Sequence, residues 1–555
     1  MTTNHILPAP NGSVVAPSNP SVESNRLLLA GRFAAARDDI VELVRLALHD
    51  VVAQAETGVA LVELEAMVGR SVVAIGQHLL AFAFASACRT AMRQDVDERG
   101  LVPNEFRLRT DDAGYITVHT TFGPITFPIF AYRDISTPAG SVTRSPGRVL
   151  FPYHRSCRSS PLCLQWEARL GLQHPFRKAE EMMHFFTRGV STIEDTTISR
   201  HMLVLSQMIE PEWLYRTPED LRDTLRDKAT RDKVTGCPIV YVSSDAHALR
   251  RYVGDTWALQ WKMVNGIRVW CEDADTGQFI HLGGEFTWGD CREVGARIRA
   301  LRDAGILPND DAAWAEVNAQ VVFVSDGSAW LLDHIVPVLG SAIVILDPYH
   351  LIDWFAAFTK LAFGAGSKRS RELHAKLRRI LFNKRPKGTS TTAERRRGHK
   401  KTRGKRTAHA YDRPWAQRGR PRTVPGDFTA KALLELLADV VVTKSKHVEA
   451  LDVLAERLAN NTLRIDYPAF LARGLQIGSG AMESMHRTGS QLRLKLPGAS
   501  WLEDSSQAVL HFRMLELSGR WHEFWNRPNL VPRIAKAFAT KPSSEPSEPP
   551  ALEAA

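Results

Sequence analysis

The sequence predicts an α/β fold in which the first strands of a mixed sheet are antiparallel and the later ones parallel. Between residues 233 and 362, strand-like and helical stretches follow the order three strands, helix, strand, helix, strand. The segment REVGARIRALRDAG has the apolar spacing of an amphipathic helix that ends at Gly305. On either side of this region the apolar residues recur mainly at helical spacing, so we expect helical regions to flank the sheet.

Length and composition are those of a multidomain globular protein. The chain has 555 residues, 44% of them hydrophobic and 24% charged, which is enough for about three to four domains. Six cysteines without a CxxC pair exclude a disulfide framework. His154, Cys157 and Cys163 could hold zinc, but a fourth ligand is not evident, and ordinary buried thiols are the favoured interpretation. We expect a reducing, cytoplasmic setting.

The N-terminal region divides into a tail, helices and a hairpin. Residues 1–25, which are rich in Pro, Asn and Ser, predict a disordered tail, and residues 541–555 predict another at the other end. The first 25 residues also lack the pattern of a secretion signal. Residues 26–160 predict helices followed by a β-hairpin with its turn at Gly123-Pro124. The apolar window Ser71–Cys88 has Gln77 and His78 at its centre, which favours a core helix over a membrane span.

A second helical region covers residues 161–232. Two helices, Phe176 to Phe186 and Thr197 to Met208, flank the connector TRGVSTIEDT. This layout fits a helix-turn-helix whose second helix, with Ile198, Ser199, Arg200 and His201 near its start, would lie in a major groove of DNA. A plain helical hairpin is the alternative interpretation, because helix pairs are common.

Two acidic residues follow apolar runs of the kind found in buried strands. PIVYV leads to Asp245, and QVVFV leads to Asp326. If both acids lie at the carboxyl ends of neighbouring strands, their carboxylates repel each other and favour a divalent cation between them. Each residue alone could equally be a turn or helix-capping residue, since Asp326-Gly327 is a favourable turn pair.

A third acid, Glu483, lies after a glycine-rich turn in QIGSGAMESMHRTGSQLRLKLPGASW. Gly478 and Gly480 mark the turn, Ser479 could cap the helix that follows, and Glu483, Arg487 and Ser490 would share one face of that helix. The functional interpretation makes Glu483 a metal ligand and brings Arg487, Arg493 and Lys495 near phosphates. An exposed Glu483–Arg487 ion pair with no further role is the alternative.

The positive charge of the chain is concentrated between Lys368 and Arg422. This segment has 21 Lys and Arg against three acids, a net of +18, whereas the whole chain is +10. Such a segment could bind DNA phosphates even if it is disordered. Arg418, Gly419, Arg420, Pro421 and Arg422 resemble the core of an AT-hook, which places arginines in a minor groove. Residues 368–380 predict a basic amphipathic helix.

Four segments in order resemble bacterial insertion-sequence transposases of the DDE type: VSSDAHALRR, FVSDGSAWLLDHI, ILDPYHLIDW and IGSGAMESMHRTGSQLRLKLPGASW. The resemblance covers about residues 233–362 and 471–515. It implies an RNase H-like catalytic domain in two parts, 233–362 and 471–540, separated by a mainly helical insertion at 363–470. Asp245 would lie on the first strand, Asp326 after the fourth and Glu483 on a late helix.

The resemblance also implies partners and cofactors. Asp245, Asp326 and Glu483 would be catalytic and would bind Mg²⁺ or Mn²⁺, while Asp347 and His350 match the family's D-x-x-H element as supporting or DNA-contacting residues. We expect double-stranded DNA as a partner, a homodimer or larger assembly, and a nucleoid-associated location in a bacterial cytoplasm.

The sequence departs from the family pattern at two points. Ala246 stands where relatives usually have Gly, and the N-terminal zinc-binding cysteine pairs of many relatives are missing. Asp255 is the alternative first acid.

Three other functions remain open on the sequence. An RNase H-like nuclease or resolvase would use the same acids to cut DNA without joining it. A DNA-binding protein derived from a transposase would have lost catalysis, although the three acids are intact. A transcription regulator acting through residues 161–232 would leave the α/β region without a role.

Overall fold

A computed structural model describes residues 22–109, 115–136, 142–151, 156–253, 258–382 and 424–540. Within these ranges the chain forms two compact units, which we call the N-terminal unit (described residues up to 205, with 525–540) and the sheet unit (residues 206–524). The last helix among the described residues therefore belongs to the N-terminal unit. The predicted AT-hook arginines, Asp255, His154 and most of both predicted tails lie outside the described residues.

The N-terminal unit begins with two long helices that pack against each other and continues with short strands. Its helices are α1 (Val22–Glu56), α2 (Leu61–Glu98), α3 (Pro161–Gln173), α4 (Phe176–Phe186), α5 (Asp195–Ser206) and, near the C-terminus, α19 (Leu530–Ala539). Its strands are β1 (Phe106–Arg109), β2 (Tyr115–Thr120), β3 (Gly123–Pro128), β4 (Ala131–Asp134) and β5 (Val142–Arg144). Strands β2 and β3 form one hairpin, and β1, β4 and β5 form a separate sheet.

One side of α2 forms the core of this unit with the β2–β3 hairpin. Cys88 and Met92 of α2 are buried together with Ile116 and Phe127 of the hairpin. Gly76 allows the close approach, because a Cβ there would lie 2.4 Å from the ring of Phe122. The predicted hairpin is thus confirmed, but its turn is Thr121-Phe122 rather than Gly123-Pro124, since Thr120 pairs directly with Gly123.

The apolar window predicted as a core helix lies within α2, but most of it is not buried. Only 22% of the most apolar 18-residue window is buried, and by length and composition α2 is the one helix among the described residues that could cross a membrane. The side of α2 that faces the β2–β3 hairpin is packed against the unit, and there Gln77 Nε2 donates a hydrogen bond to Pro124 O at 3.2 Å.

The sheet unit is built on five strands in the order β10-β9-β6-β7-β8. The strands are β6 (Ile239–Val253), β7 (Ala258–Glu272), β8 (Phe279–Thr287), β9 (Gln320–Ser325) and β10 (Ile343–Leu346). Strands β6, β7 and β8 are antiparallel neighbours, whereas β9 and β10 run parallel to β6. The predicted mixed sheet, antiparallel first and parallel later, is confirmed.

Helices surround and connect these strands. They are α6 (Pro218–Lys228), α7 (Cys291–Asp303), α8 (Ala312–Val317), α9 (Ala329–His334), α10 (Pro348–Phe363), α11 (Lys368–Leu381), α12 (Phe428–Ala438), α13 (Ser445–Asn460), α14 (Tyr467–Arg473), α15 (Gly480–Met485), α16 (Leu492–Leu494), α17 (Glu503–Leu517) and α18 (Trp521–Asn526). Between α15 and α16 the backbone forms a π-helical turn at His486–Gln491. The predicted helix ending near Gly305 corresponds to α7.

The helices α10 to α13 form a bundle that shares one core with the edge of the sheet. Phe355 of α10, Leu377 of α11, Leu433 of α12 and Leu458 of α13 are all buried in this cluster. Tyr467 connects the bundle to the sheet, because its hydroxyl donates to Leu346 O at 2.7 Å. Among the described residues, 363–470 are therefore mainly helical, as the resemblance implied.

Candidate active site

The strand register brings three aspartates to one level of the sheet. The parallel ladder between β6 and β9 ends with Ser243 opposite Val324, and the ladder between β9 and β10 ends with Leu346 opposite Ser325. If the β6–β9 register is continued by two residues, Asp245 lies level with Asp326. If the β9–β10 register is continued by one residue, Asp326 lies level with Asp347. Because aligned residues of neighbouring strands point to the same face, the register alone predicts that the carboxylates lie close together.

Asp245 lies within a strand, which corrects one expectation. β6 continues to Val253, so Asp245 is not at the carboxyl end of the strand, although the pairing with β9 ends just before it. The reason is that β6 and β7 continue together as a long antiparallel ribbon beyond the end of β9. Asp245 therefore has one open backbone edge, and its Oδ1 accepts a hydrogen bond from Ala246 N at 2.7 Å.

The electrostatic surroundings of Asp245 connect it with the other predicted site residues. Burial raises the pKa of this carboxyl above its ordinary value, and the hydrogen bond from Ala246 opposes that shift. The negative charges of Asp326 and Glu483 raise the pKa further, while His350 lowers it. Asp245 thus lies within electrostatic range of both other predicted acids, and its ionised form would be stabilised by a cation.

Asp326 forms the turn that the alternative interpretation expected. Its Oδ1 accepts from Ser328 N at 2.9 Å and its Oδ2 from Ser328 Oγ at 2.7 Å, and Gly327 has a φ of +81°. These bonds fix the direction of the carboxylate at the end of β9 without enclosing it, since the side chain remains half-buried. A turn role and a cation-binding role are therefore compatible here.

Asp347 is fully buried and holds two helices by their backbones. Its Oδ1 accepts from Tyr349 N at 2.6 Å and caps the start of α10, and its Oδ2 accepts from Ser479 N just before α15. Ser479 lies at the N-cap position of α15, as predicted, but its side chain makes no capping bond. The cap bond comes from Asp347 in a distant part of the chain, which the local sequence does not reveal.

Glu483 is exposed on α15, a helix that packs closely on β7. Gly266 pairs with Asp245 across the sheet, and a Cβ on Gly266 would lie 2.3 Å from Met482 Cε. The buried guanidinium of Arg268 donates a hydrogen bond to Ala481 O. These contacts hold α15 against β7, the neighbour of the strand that carries Asp245, and leave Glu483 exposed to solvent.

Two neighbouring histidines that the sequence interpretation missed lie on the Asp245 side of the site. His486 Nδ1 is 3.8 Å from Asp245 Oδ2, and the ring centroids of His247 and His486 are 4.5 Å apart. Burial lowers the pKa of His247 to about 3 and that of His486 to about 4, so both rings are neutral at pH 7. The sequence contained part of the information needed to find them, because His247 follows Asp245 by two residues and therefore lies on the same face of β6.

The π-helical turn changes which residues of the Glu483 segment face solvent. Glu483 and Arg487 are exposed as predicted, but Ser490 is buried and its Oγ is 2.9 Å from His247 Nε2. Its predicted place on their face is wrong, because a π-helical turn has more residues than an α-helical one and rotates the residues after it.

The predicted DNA-contacting cations are not equally accessible. Arg487 and Lys495 are exposed, and the charge of Lys495 reaches His247 and His486. Arg493 is only 2% exposed, its guanidinium lies 4.7 Å from the centroid of the Trp501 ring, and burial lowers its pKa to about 10. In this conformation Arg493 packs inside the protein instead of facing a phosphate, which corrects its expected position.

The predicted helix-turn-helix corresponds to α4 and α5 of the N-terminal unit. Arg200 is exposed on α5, and its Nη2 donates to Thr197 Oγ1 at 3.3 Å. Ile198 and His201 are buried, and His201 Nδ1 lies 2.6 Å from Glu167 Oε2, so neither can reach a DNA groove. A contact between α5 and DNA would therefore have to be made by its exposed side, which carries Arg200.

The helix α11 confirms the predicted basic amphipathic helix. Its apolar side, with Leu373 and Leu377, is buried in the bundle, whereas its cations face outward. The exposed cations are Lys368, Arg369, Arg371, Lys376 and Arg378. Arg369 is fixed by contacts with the Phe363 ring, 4.3 Å from its guanidinium carbon, and with Val441 O.

The carboxylates of the site are oxygen donors that suit a hard metal ion. Within the ranges that the structure describes, no three His, Cys, Asp or Glu side chains lie close enough together to hold an ion as they stand. The chemistry nevertheless fits a hard cation, since the negative charges of Asp326 and Glu483 act on the buried carboxyl of Asp245, which lies in an environment that disfavours its ionised form. Cys157 and Cys163 are buried thiols, as the favoured interpretation expected.

Comparisons with known proteins identify no family. No protein-family model matches the sequence, and no curated protein matches it. Among solved structures, the chain is similar to the Drosophila P element transposase strand transfer complex, with 11% sequence identity and a TM-score of 0.25. That similarity covers 67% of this chain and 93% of the other. At so low a TM-score, the function has to be argued from the residues of this chain.

Proposed function

We propose that this protein is a DNA transposase of the DDE type that acts on the ends of its own insertion element in a bacterial cytoplasm. The single observation that carries the proposal is that Asp326 and Glu483, from distant parts of the sequence, act electrostatically on the buried carboxyl of Asp245, which the strand register brings level with Asp326. The acids lie on the first strand of the sheet, after the fourth and on a late helix, which is the order that the RNase H-like interpretation requires.

Asp245, Asp326 and Glu483 would hold Mg²⁺ or Mn²⁺. When bound, a pair of such ions stabilises both the attacking and the leaving oxygen of an in-line displacement at phosphorus. The protein contributes the positions of the three carboxylates: Ser328 orients Asp326, the neutral His486 lies behind Asp245, and Asp347 fixes the start of the helix that carries Glu483. His350 lies close enough to Asp245 to favour its ionised form.

The reaction would proceed in two displacements without a covalent protein intermediate. Water attacks a phosphodiester at the element end, the bond between phosphorus and the 3′-oxygen breaks, and a 3′-hydroxyl and a 5′-phosphate result. That 3′-hydroxyl then attacks a phosphodiester of the target DNA, which releases a target 3′-hydroxyl as the new bond forms. Arg487 and Lys495 are exposed on the segment after Glu483 and are suited to bind the phosphates.

The proposal is tested with the full chain, Mg²⁺ and DNA that carries the sequences flanking the gene, where the proposal expects inverted repeats. Wild-type protein should cut at the repeat end and join pre-cut ends to target DNA, and Asp326→Asn should abolish both activities. Asp333→Asn is the matched control, because Asp333 is an exposed aspartate on the neighbouring helix α9. Unchanged cleavage by folded Asp326→Asn protein would overturn the proposal.

The same acids would also serve a nuclease or resolvase that cuts without joining. The assay with pre-cut ends separates the two functions, because only a transposase converts them into joined products. A DNA-binding protein without catalysis would bind the repeats and leave them intact, and it would be indifferent to substitution of any of the three acids.

A further inference from the structure

The segment from Asn461 to Tyr467 lies where the parallel strands β9 and β10 end. On the side of β10, the Tyr467 hydroxyl donates a hydrogen bond at 2.7 Å to the carbonyl of Leu346, the last residue of that strand. On the side of β9, a Cβ on Gly327, the residue after Asp326, would lie 3.8 Å from Asn461 Oδ1. The end of the helical insertion therefore borders the level of the sheet at which Asp326 lies.

Arg464 is the one cation in this segment, whose sequence is NTLRIDY. Its Nη1 donates to Asn461 Oδ1 at 3.4 Å, and its backbone N–H donates to Asn461 O at 2.9 Å. Asn461 is itself buried, and its Nδ2 donates to Arg457 O at 2.9 Å, which fixes the orientation of its amide. The residue beside the Asp326-Gly327 turn thus also holds the guanidinium of Arg464.

The guanidinium of Arg464 is half-buried, and no acid among the described residues forms an ion pair with it. Burial lowers its pKa, and no described carboxylate opposes that shift. Other partly buried arginines of the sheet unit have acids as partners, since Arg473 pairs with Asp232, and Arg297 Nη1 lies 3.6 Å from Glu285 Oε2. Partial burial without a counter-charge is unfavourable for a cation, so Arg464 favours the binding of an anion.

The guanidinium also has unused hydrogen-bonding capacity. An arginine has five N–H donors in a planar fork, and within the ranges that the structure describes one side-chain hydrogen bond, to Asn461, uses one of them. The fork matches two oxygens of a phosphate group, whereas a lysine presents a single point charge. Arg464 is therefore suited to bind a phosphate close to the carboxylates.

We propose that Arg464 binds a phosphate of the DNA strand on which Asp245, Asp326 and Glu483 act. This contact, which rests on the proposed function, would come from the helical insertion and not from the segments that resemble the family. Asn461 would hold the guanidinium in place, and the bound phosphate would fix the strand near the end of β9. A phosphate contact of this kind positions DNA and carries no base preference.

The test measures DNA binding by the full chain without divalent ions, by fluorescence anisotropy. The probes are duplexes of the flanking DNA in which one phosphate at a time, around the cut made by wild type, is a neutral methylphosphonate. Wild-type protein should bind one or two of these duplexes about tenfold to a hundredfold more weakly than the unmodified duplex, because a charge-assisted contact is lost. Arg464→Ala should bind the unmodified duplex more weakly by the same factor and lose nothing further at those phosphates.

The matched control is Arg457→Ala, which removes an exposed arginine seven residues earlier whose guanidinium carbon lies 4.8 Å from the centroid of the Trp354 ring. This variant should keep the wild-type pattern at every phosphate. Arg464→Lys retains the charge without the fork, should bind with intermediate affinity, and carries the test alone if circular dichroism shows that Arg464→Ala does not fold.

Two results would overturn the phosphate contact. If folded Arg464→Ala or Arg464→Lys loses as much affinity at the same phosphates as wild type does, Arg464 does not bind them, and the proposed function stands without this contact. If the wild-type chain neither binds nor cuts the flanking DNA, the proposed function fails, and the contact fails with it.

Discussion

The buried carboxylate of Asp347 accepts a hydrogen bond from the backbone N–H of Ser479, 132 residues later in the chain. Through this bond the end of β10 determines where α15 begins. Since α15 carries Glu483, Asp347 positions one of the three acids through the backbone. The relationship also explains why the glycine-rich turn before Glu483 has a defined conformation without a side-chain cap of its own.

We expect Asp347→Ala to destabilise the sheet unit by about 2–6 kcal/mol, because the buried N–H of Ser479 and the partly buried N–H of Tyr349 lose their acceptor at about 1–3 kcal/mol each. Asp347→Asn retains one acceptor oxygen and should cost less. Urea unfolding followed by tryptophan fluorescence measures the difference. Equal stability of Asp347→Ala and wild type would show that α15 is held in some other way.

The glycine opposite Asp245 should be intolerant of a side chain. Gly266→Ala places a methyl group 2.3 Å from Met482 Cε and 3.0 Å from His486 Nε2. We expect overpacking to cost about 1–3 kcal/mol and to displace α15, with reduced DNA cleavage. Gly480→Ala is the control on the same helix, since no atom lies within 4 Å of a Cβ there. Full activity in Gly266→Ala would mean that the position of α15 is not critical.

The stability of the protein should depend on pH through Asp245. Because burial raises the pKa of this carboxyl, the folded chain holds its proton more tightly than the unfolded chain. The resulting stabilisation is complete below the ordinary pKa of 3.8 and is lost as the pH rises through the folded pKa. Asp245→Asn cannot ionise, so its stability relative to wild type should increase from acidic to neutral pH. Melting temperatures across this range, without divalent ions, provide the measurement, and a pH-independent difference would contradict it.

Divalent metal should stabilise the folded chain if the acids bind it. At a hundredfold excess over Kd, a ligand that binds only the folded state contributes about 2.7 kcal/mol. We expect Mg²⁺ or Mn²⁺ to raise the melting temperature of wild type, and Asp245→Asn and Asp326→Asn to lose this response. Asp333→Asn should retain it. An identical increase in all four proteins would indicate that the ions bind elsewhere.

The exposed cations of α11 should contribute to DNA affinity through phosphates. Replacing Lys368, Arg371, Lys376 and Arg378 by Gln removes up to four contacts, and each contact accounts for about 0.9 of the slope of log K against log salt. We therefore expect the slope to become shallower by up to about 3.6, with similar losses on different DNA sequences.

The control for this experiment is Arg292→Gln/Arg299→Gln, which neutralises two exposed cations on α7. Its salt dependence should match that of wild type. If the α11 variant binds DNA as wild type does at every salt concentration, this helix is only a solvated surface of the bundle.

The sequence by itself determined most of the local structure. The apolar runs before Asp245 and Asp326 predicted buried strands, and the spacing in REVGARIRALRDAG predicted α7, because burial and periodicity are properties of neighbouring residues. The same reasoning predicted the basic amphipathic helix α11. It also identified Asp245, Asp326 and Glu483 as candidates, although it could not measure their separation.

The tertiary structure decided what depends on contacts between distant segments. The register of β6, β9 and β10 aligns the aspartates, the bond from Asp347 to Ser479 fixes α15, and the π-helical turn buries Ser490 where a regular helix would expose it. Arg493 and His201 are buried by partners far along the chain. A local pattern specifies periodicity and charge but not which distant side chain covers a residue, so these features follow only from the packed structure.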